Sequence, residues 1–544
     1  MSIQLDREIT QDLERAARLE WMETNGLGGW AGTTVAGLNS RRSHGLLVAA
    51  TPAGRQVLLS RLDETLHVDG GSFDLGCNQF PGTIAPQGFQ HLASFTQDLF
   101  PVFEYHVGDM GGVRLRKTVA AVDGENTTLV LYEVLEAAGP FILSLRPFVA
   151  ARDLETLASA NGEISQETSF ADGTLRLQPY ASTPEVFLLV PGAELYSNPQ
   201  WWYRFEYEAD RRRGQDFQED LWTPGLFGRE LGPGDRFGVI VSTASPAGRD
   251  AFALFAKEKK RREKIVQGMP DPLARFLALA ADAFLVRRGS QKAVVAGYPS
   301  EGESARDALI ALPGLCLVTG RFEEARKILK ALSRSKDLWL FVAAWKYLQA
   351  TGDEAFVRDT LLPALRKIRI EETGALGYNA LRILSELETR LGDPVEANQL
   401  AKQAKAVQKG FQETARAEEV LALSLPFPIL PKARAVRLLE ELTRLYTPTG
   451  LDGQAWLLGP YMTALARVNG PAGRKQARKV IEALELGSLA AEPRAVHVAE
   501  VLRAYLEDVA TSATHPRVSE LPEGGAKGRG DRGRRTARRY DPDA

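Results

Sequence analysis

The sequence predicts a multidomain β + α protein, an antiparallel β-sandwich followed by a helical toroid or solenoid, on three observations. From about Trp21 to Val241, alternating or β-branched runs recur: Gly45 to Ala49, Thr127 to Val134, Phe141 to Leu145 and Glu185 to Val190. Turn clusters such as Asp69-Gly70-Gly71-Ser72 and Asp123-Gly124-Glu125-Asn126 separate them, and no helix-period segment alternates with them, which disfavours parallel α/β. From about Asp271 onward the apolar spacing changes to the 3.6-residue period of helices. A chain of 544 residues is also too long for one ordinary core.

The helical half contains eleven periodic segments: Leu273 to Arg288, Ala305 to Val318, Phe322 to Leu332, Leu338 to Ala350, Glu354 to Ile368, Tyr378 to Leu391, Glu396 to Ala415, Ala433 to Leu445, Leu457 to Val468, Gly473 to Leu484 and Ala495 to Val509. No fixed-length repeat runs through them, which disfavours TPR or HEAT arrays. The expected division is a sandwich over 1–250, a Lys/Arg-rich linker helix with a solvated charged face over 251–270, the helical domain over 271–510, and a basic tail over 511–544 that is expected to be disordered. Its cluster Arg529 to Arg539 would suit RNA or an acidic surface. No aromatic residue is interleaved to stack on bases, so a solvated tail is the reading and nucleic acid is disfavoured as a partner.

Composition narrows the function classes. Hydrophobic residues make up 44% and charged residues 25%, an ordinary globular balance, and the formal charge of -2 gives no drive toward nucleic acid or anionic membranes. Two cysteines, Cys77 and Cys316, make neither a disulfide framework nor a structural zinc site, so reduced thiols and a cytoplasmic location are expected. No basic-then-apolar leader is read at Met1 to Glu8, and no apolar run is long enough to span a membrane. No metal or organic cofactor is expected, and the oligomeric state is not legible.

The stretch Ala296-Gly297-Tyr298-Pro299 through Arg306-Asp307 to Leu315 joins the two halves. Asp307 falls in or just before the first turn of a helix, where a carboxylate is favoured by the dipole and free amides. That spacing fits a helix cap with an ion-pair partner, and it also fits a catalytic carboxylate beside Arg306. In the amino half, Trp21 to Trp30 and Val35 to Val48 carry Thr24-Asn25-Gly26-Leu27-Gly28-Gly29 and Asn39-Ser40-Arg41-Arg42-Ser43-His44. The glycines loosely match a dinucleotide fingerprint, but a strand-like run follows where a helix would have to open, so turns with positive φ are the reading. Arg41, Arg42 and His44 are candidates for sugar hydroxyls, against anchoring at an interface. Trp201 and Trp202 are candidates for stacking on a sugar, against core or rim packing.

These motifs together resemble the bacterial and archaeal glycogen debranching enzymes of the amylo-α-1,6-glucosidase type. Ala296 to Pro299, Arg306-Asp307 and Ile310 to Leu315 match that family's catalytic-domain entry, and Thr24 to Leu47 matches its amino domain almost completely, with Ser43 replacing an aromatic residue. Trp202 to Tyr207 and Arg213 to Gly225 extend the likeness over most of residues 15 to 510. The resemblance implies a supersandwich packed on an (α/α)6-type toroid, here with shortened loops and an open, shallow mouth. It also implies an α-glucan such as glycogen as ligand, Asp307 as general acid, and Arg306, Tyr298, Arg41, Arg42 and His44 as substrate-binding residues.

The same resemblance exposes losses. Ser300, Glu301, Ser304 and Ala305 stand where the family has Trp, Phe, Trp and Gly, and Gly377 replaces a Trp. An inverting hydrolase needs a second carboxylate about 6.5–9.5 Å from the acid. In the family's register Ala491 takes that place, with Glu492 one residue off and held by the following proline. The leading expectation is a catalytically degenerate glucan-binding or regulatory member. The alternatives are an active α-1,6-glucosidase using Asp307 with Glu492, Glu303 or Glu372, and an interaction protein with no carbohydrate role.

Overall fold

The computed structural model describes residues 3–108, 112–299, 302–371, 374–414, 416–483 and 494–510. The basic tail, Glu372 and Glu492 lie outside them.

Among the described residues, two large antiparallel sheets form the amino half. The first orders its nine strands Ile3–Leu5, Leu92–Gln97, Pro101–Val107, Val113–Ala121, Thr127–Glu136, Arg236–Ser242, Val186–Leu189, Thr174–Leu177 and Thr168–Ala171. The second runs Glu194–Glu206, Gln218–Leu231, Phe141–Asp153, Gly54–Val68, Gly45–Thr51, Trp30–Thr34 and Glu20–Thr24, with Gly71–Asp74 added beside Gly54–Val68. Period-two alternation explains why Gly45 to Ala49 reads as one apolar run: Leu47 and Ala49 enter the core between the sheets, while Val48 joins the core shared with the helices. Trp30, Val57, Phe148 and Leu221 lie on that same helix-facing side.

Helix α1 (Ala251–Val266) connects the halves. Its charges are not all solvated. Glu258 and Arg262 are buried, and Arg262 donates two hydrogen bonds to the buried Glu23 carboxylate of the sandwich, at 3.1 and 2.6 Å. Neighbouring Arg261 reaches Asp282 at 2.8 Å, and Asp282 also accepts from Arg321 at 2.7 Å. One ion ladder thus joins sandwich, linker and helical domain.

The expected helix Leu273 to Arg288 is shorter. Helix α2 (Pro272–Asp282) stops, and Leu285–Arg288 turns through Gly289 (φ 59°) to pair with Gln291–Val294. A two-residue hairpin with positive φ at its first position wins over the helical period there.

Then follow α3 (Ala305–Leu312), α4 (Phe322–Leu332), α5 (Trp339–Thr351), α6 (Leu362–Leu365), α7 (Ala375–Leu391), α8 (Pro394–Gly410), α9 (Leu421–Ser424), α10 (Lys432–Thr443), α11 (Leu458–Glu482) and α12 (Ala495–Ala504). At Gly470 (φ 57°, ψ -131°) and Pro471, α11 breaks into two arms. The second folds back so tightly that a Cβ on Gly473 would lie 1.8 Å from the Leu465 carbonyl oxygen. Inner and outer helices alternate along the chain. The inner set, α3, α5, α7, α9, the first arm of α11 and α12, packs in that order, and α12 closes on α3. The helical half is therefore a closed six-hairpin toroid. Inner α5 is buried on nearly every side, whereas outer α4 buries only Ala325, Ile328 and Leu329, the 3–4 spacing of one stripe.

Candidate functional site

Because each outer helix returns the chain, the inner helices run parallel and their N-terminal ends share one mouth. Asp307 lies there. Ser304 caps α3, its hydroxyl accepting the Asp307 amide at 3.2 Å, so Asp307 is the third helical residue of a Ser-x-x-Asp cap and is half-buried. Arg306 beside it is exposed. The N-cap is therefore Ser304 and not Asp307, which sits in the first turn of α3 at the rim of the mouth.

The centre of the mouth is aromatic. Trp339 opens α5 and Trp456 lies in the turn before α11, and their ring centroids stand 6.3 Å apart at 78°. These helices occupy opposite places in the ring of six. With neighbouring axes about 8–10 Å apart, opposite axes are about 16–20 Å apart, so the two indoles reach each other only by spanning the bore. Trp339 is 6% exposed and its indole N–H has no hydrogen-bond partner, while Trp456 is half-buried. The expected open mouth, stripped of aromatic residues, is thus corrected: two tryptophans remain and close it. No local pattern signals the contact, since 117 positions separate the pair.

Around the pair, Gln454 donates to the Glu418 carboxylate at 2.5 Å, and Glu419 accepts the Thr414 hydroxyl at 3.2 Å. Burial raises the Glu419 pKa, while the hydrogen bond from Gln454 lowers that of Glu418. At the far end of the bore, Lys346 of α5 meets Glu507 at 2.9 Å and Arg503 of α12 meets Glu500 at 2.8 Å, so charges in mutual contact fill that end. Burial opposes the Glu507 carboxylate, but Lys346 and Arg503 outweigh it and hold its pKa down to about 2.

Several expected ligand-binding residues are committed elsewhere. Tyr298 is 3% exposed; its hydroxyl donates to Ala283 O at 3.0 Å and its ring meets Trp30 edge to face at 5.5 Å. It belongs to the seam between sandwich and toroid. Arg41 donates to Glu20 at 2.7 Å, and His44 stands 3.5 Å from the same carboxylate while accepting the Ser40 amide. Burial works against ionised Glu20, but His44 and Arg41 prevail and lower its pKa. Arg42 binds the carbonyls of Glu155 and Asp216, each at 2.9 Å, and its amide donates to Asp210. These three residues hold sandwich loops together through those bonds. Trp202 packs edge to face on Phe148 at 5.3 Å. Glu303, a candidate second carboxylate, is bound by Arg288 at 2.8 Å. Among the described residues no cluster of His, Cys, Asp or Glu is placed to hold a metal ion, and no helix is long and apolar enough to cross a membrane. Cys77 and Cys316 are buried and unpaired.

Residues 19–237 match the family model described as glycogen debranching enzyme N terminal, and residues 279–337 match the model described as amylo-alpha-1,6-glucosidase. The chain is a debranching-enzyme-like family member. The amylo-alpha-1,6-glucosidase match contains Asp307 and ends two residues before Trp339. No curated protein sequence matches this debranching-enzyme-like chain. Among solved structures, a putative kojibiose phosphorylase from human microbiome is similar at 8% identity and a TM-score of 0.47, over 90% of this chain and 82% of that one. An alpha-L-rhamnosidase from Dictyoglumus thermophilum is similar at 10% identity and a TM-score of 0.32, over 82% and 69% respectively.

Proposed function

We propose that this debranching-like protein binds an α-glucan chain across the mouth of its toroid without hydrolysing it. The observation that carries this reading is the Trp339–Trp456 contact. A glucosidase must admit a sugar ring between its acid and a water-activating base. Here indole rings span the bore at the level of the inner-helix ends, and Glu303, a candidate second carboxylate, is occupied by Arg288. The half-buried face of Trp456, beside the Gln454–Glu418 hydrogen bond, offers a shallow aromatic and polar platform on which a neutral polyol chain can stack and hydrogen-bond. Co-sedimentation with glycogen tests the binding. We expect the protein in the pellet and its release by maltoheptaose; a protein that stays in the supernatant at every glycogen concentration refutes glucan binding.

A further inference from the structure

The loop Asn25 to Gly29 is not absorbed by the mouth, yet its contacts lead there. The Leu27 carbonyl accepts from Arg288 at 2.5 Å, and the Gly26 carbonyl accepts the Arg287 amide at 2.8 Å. Gly28 has φ 91°, and a Cβ there would lie 3.3 Å from Arg288 Nη2, so a glycine permits the close approach. Arg288 spends its Nε on Glu303 at 2.8 Å, next to the Ser304 cap that carries Asp307. A second arginine acts on the same segment from its other end. Arg55, from sandwich strand Gly54–Val68, donates to Pro299 O at 2.5 Å and lies 5.5 Å from the ring centres of both Trp30 and Tyr298. The chain between is also tied back on itself, since Glu303 pairs with Val295 and the Ala296 amide donates to Gly302 O at 2.8 Å.

We infer that Arg55 and Arg288 form a two-point clamp through which the sandwich fixes the entry of α3 and hence the placement of Asp307 and Arg306 at the mouth. They are positioning residues for ligand bound there. The ligand part of the inference rests on the proposed glucan reading; the clamp itself does not. It gives the glycine motif a role: Gly26 and Leu27 offer carbonyls that a cationic hairpin reads, and any side chain at position 28 would crowd Arg288.

Two readouts on the full chain separate the clamp from the function. In Arg288→Gln and, independently, Glu303→Gln, we expect the Asp307 and Ala308 amides to exchange about tenfold faster, with α5 amides unchanged and melting little altered. Glu303 is half-exposed, so its amide variant keeps the fold even if Arg288→Gln does not. Arg288→Lys should recover part of the protection, because one donor can still reach Leu27 O. Maltoheptaose affinity should fall about fivefold in both Gln variants if glucan binds at the mouth. Unchanged exchange at Asp307 and Ala308 in both variants overturns the clamp. Faster exchange in a protein that never binds maltoheptaose upholds the clamp and rejects the glucan reading.

Discussion

Trp339 and Trp456 touch edge to face although their helices stand on opposite sides of the inner ring. An aromatic pair of this kind contributes about 0.5–1.5 kcal/mol beyond the area it buries. Its larger consequence is steric, because the bore is filled where a sugar would have to enter. Trp456→Ala should therefore lower stability by about 1–2 kcal/mol, the share due to a half-buried ring. It should also weaken maltoheptaose binding about tenfold without creating glucose release. Denaturant melts and titration by Trp339 fluorescence check both.

The Glu23–Arg262 pair links sandwich to linker helix from a buried position, with Glu258 and the Leu99 carbonyl completing the arginine's bonds. Arg262→Met strands the buried Glu23 carboxylate and should cost about 3–5 kcal/mol, whereas Glu23→Gln leaves Arg262 on Glu258 and should cost less. The double variant should cost less than the sum of the two. Urea unfolding as a double-mutant cycle measures the coupling.

Gly314 marks a close approach of inner elements. It lies in the turn that continues α3, and a Cβ there would fall 1.9 Å from the Ala499 carbonyl oxygen of α12. Gly314→Ala must push the two elements apart at the point where the ring closes. A loss of about 1–3 kcal/mol is expected, at the overpacking scale, read as a lower melting temperature.

His497, in the first turn of α12, is pushed down to a pKa of about 4 by burial, and its Nε2 finds no partner. The unfolded chain takes up a proton near pH 6.5 that the fold refuses until about pH 4. The stability of this neutral histidine is thus intact above pH 6.5 and is lost as pH falls from there toward 4, by about 3 kcal/mol in all. His497→Gln should flatten the urea-midpoint profile over that window relative to wild type.

Much of the fold was legible because burial imposes period. The sandwich strands alternate, and outer helices such as α4 and α8 bury one stripe. Short elements defeat that signal. Inner helix α9 spans only Leu421–Ser424, about one turn, too short for a 3.6-residue period to register. Leu285–Arg288 joins a hairpin because Gly289 supplies a turn that a 3.6-residue count does not weigh. At the site, the place of Asp307 at the start of α3 followed from helix-start chemistry, whereas the cap itself is Ser304. The fates of Arg41, His44 and Tyr298 did not, because Glu20 and Ala283, which occupy them, are joined to them only by the folded chain. The tryptophan pair was hidden for the same reason.

Glucose release from a glycogen limit dextrin tests the central claim most directly. For the purified full chain we expect release no greater than that of its Asp307→Asn variant. Release well above that variant, abolished by the single substitution, would show that the bore opens to a sugar and that Asp307 still donates its proton.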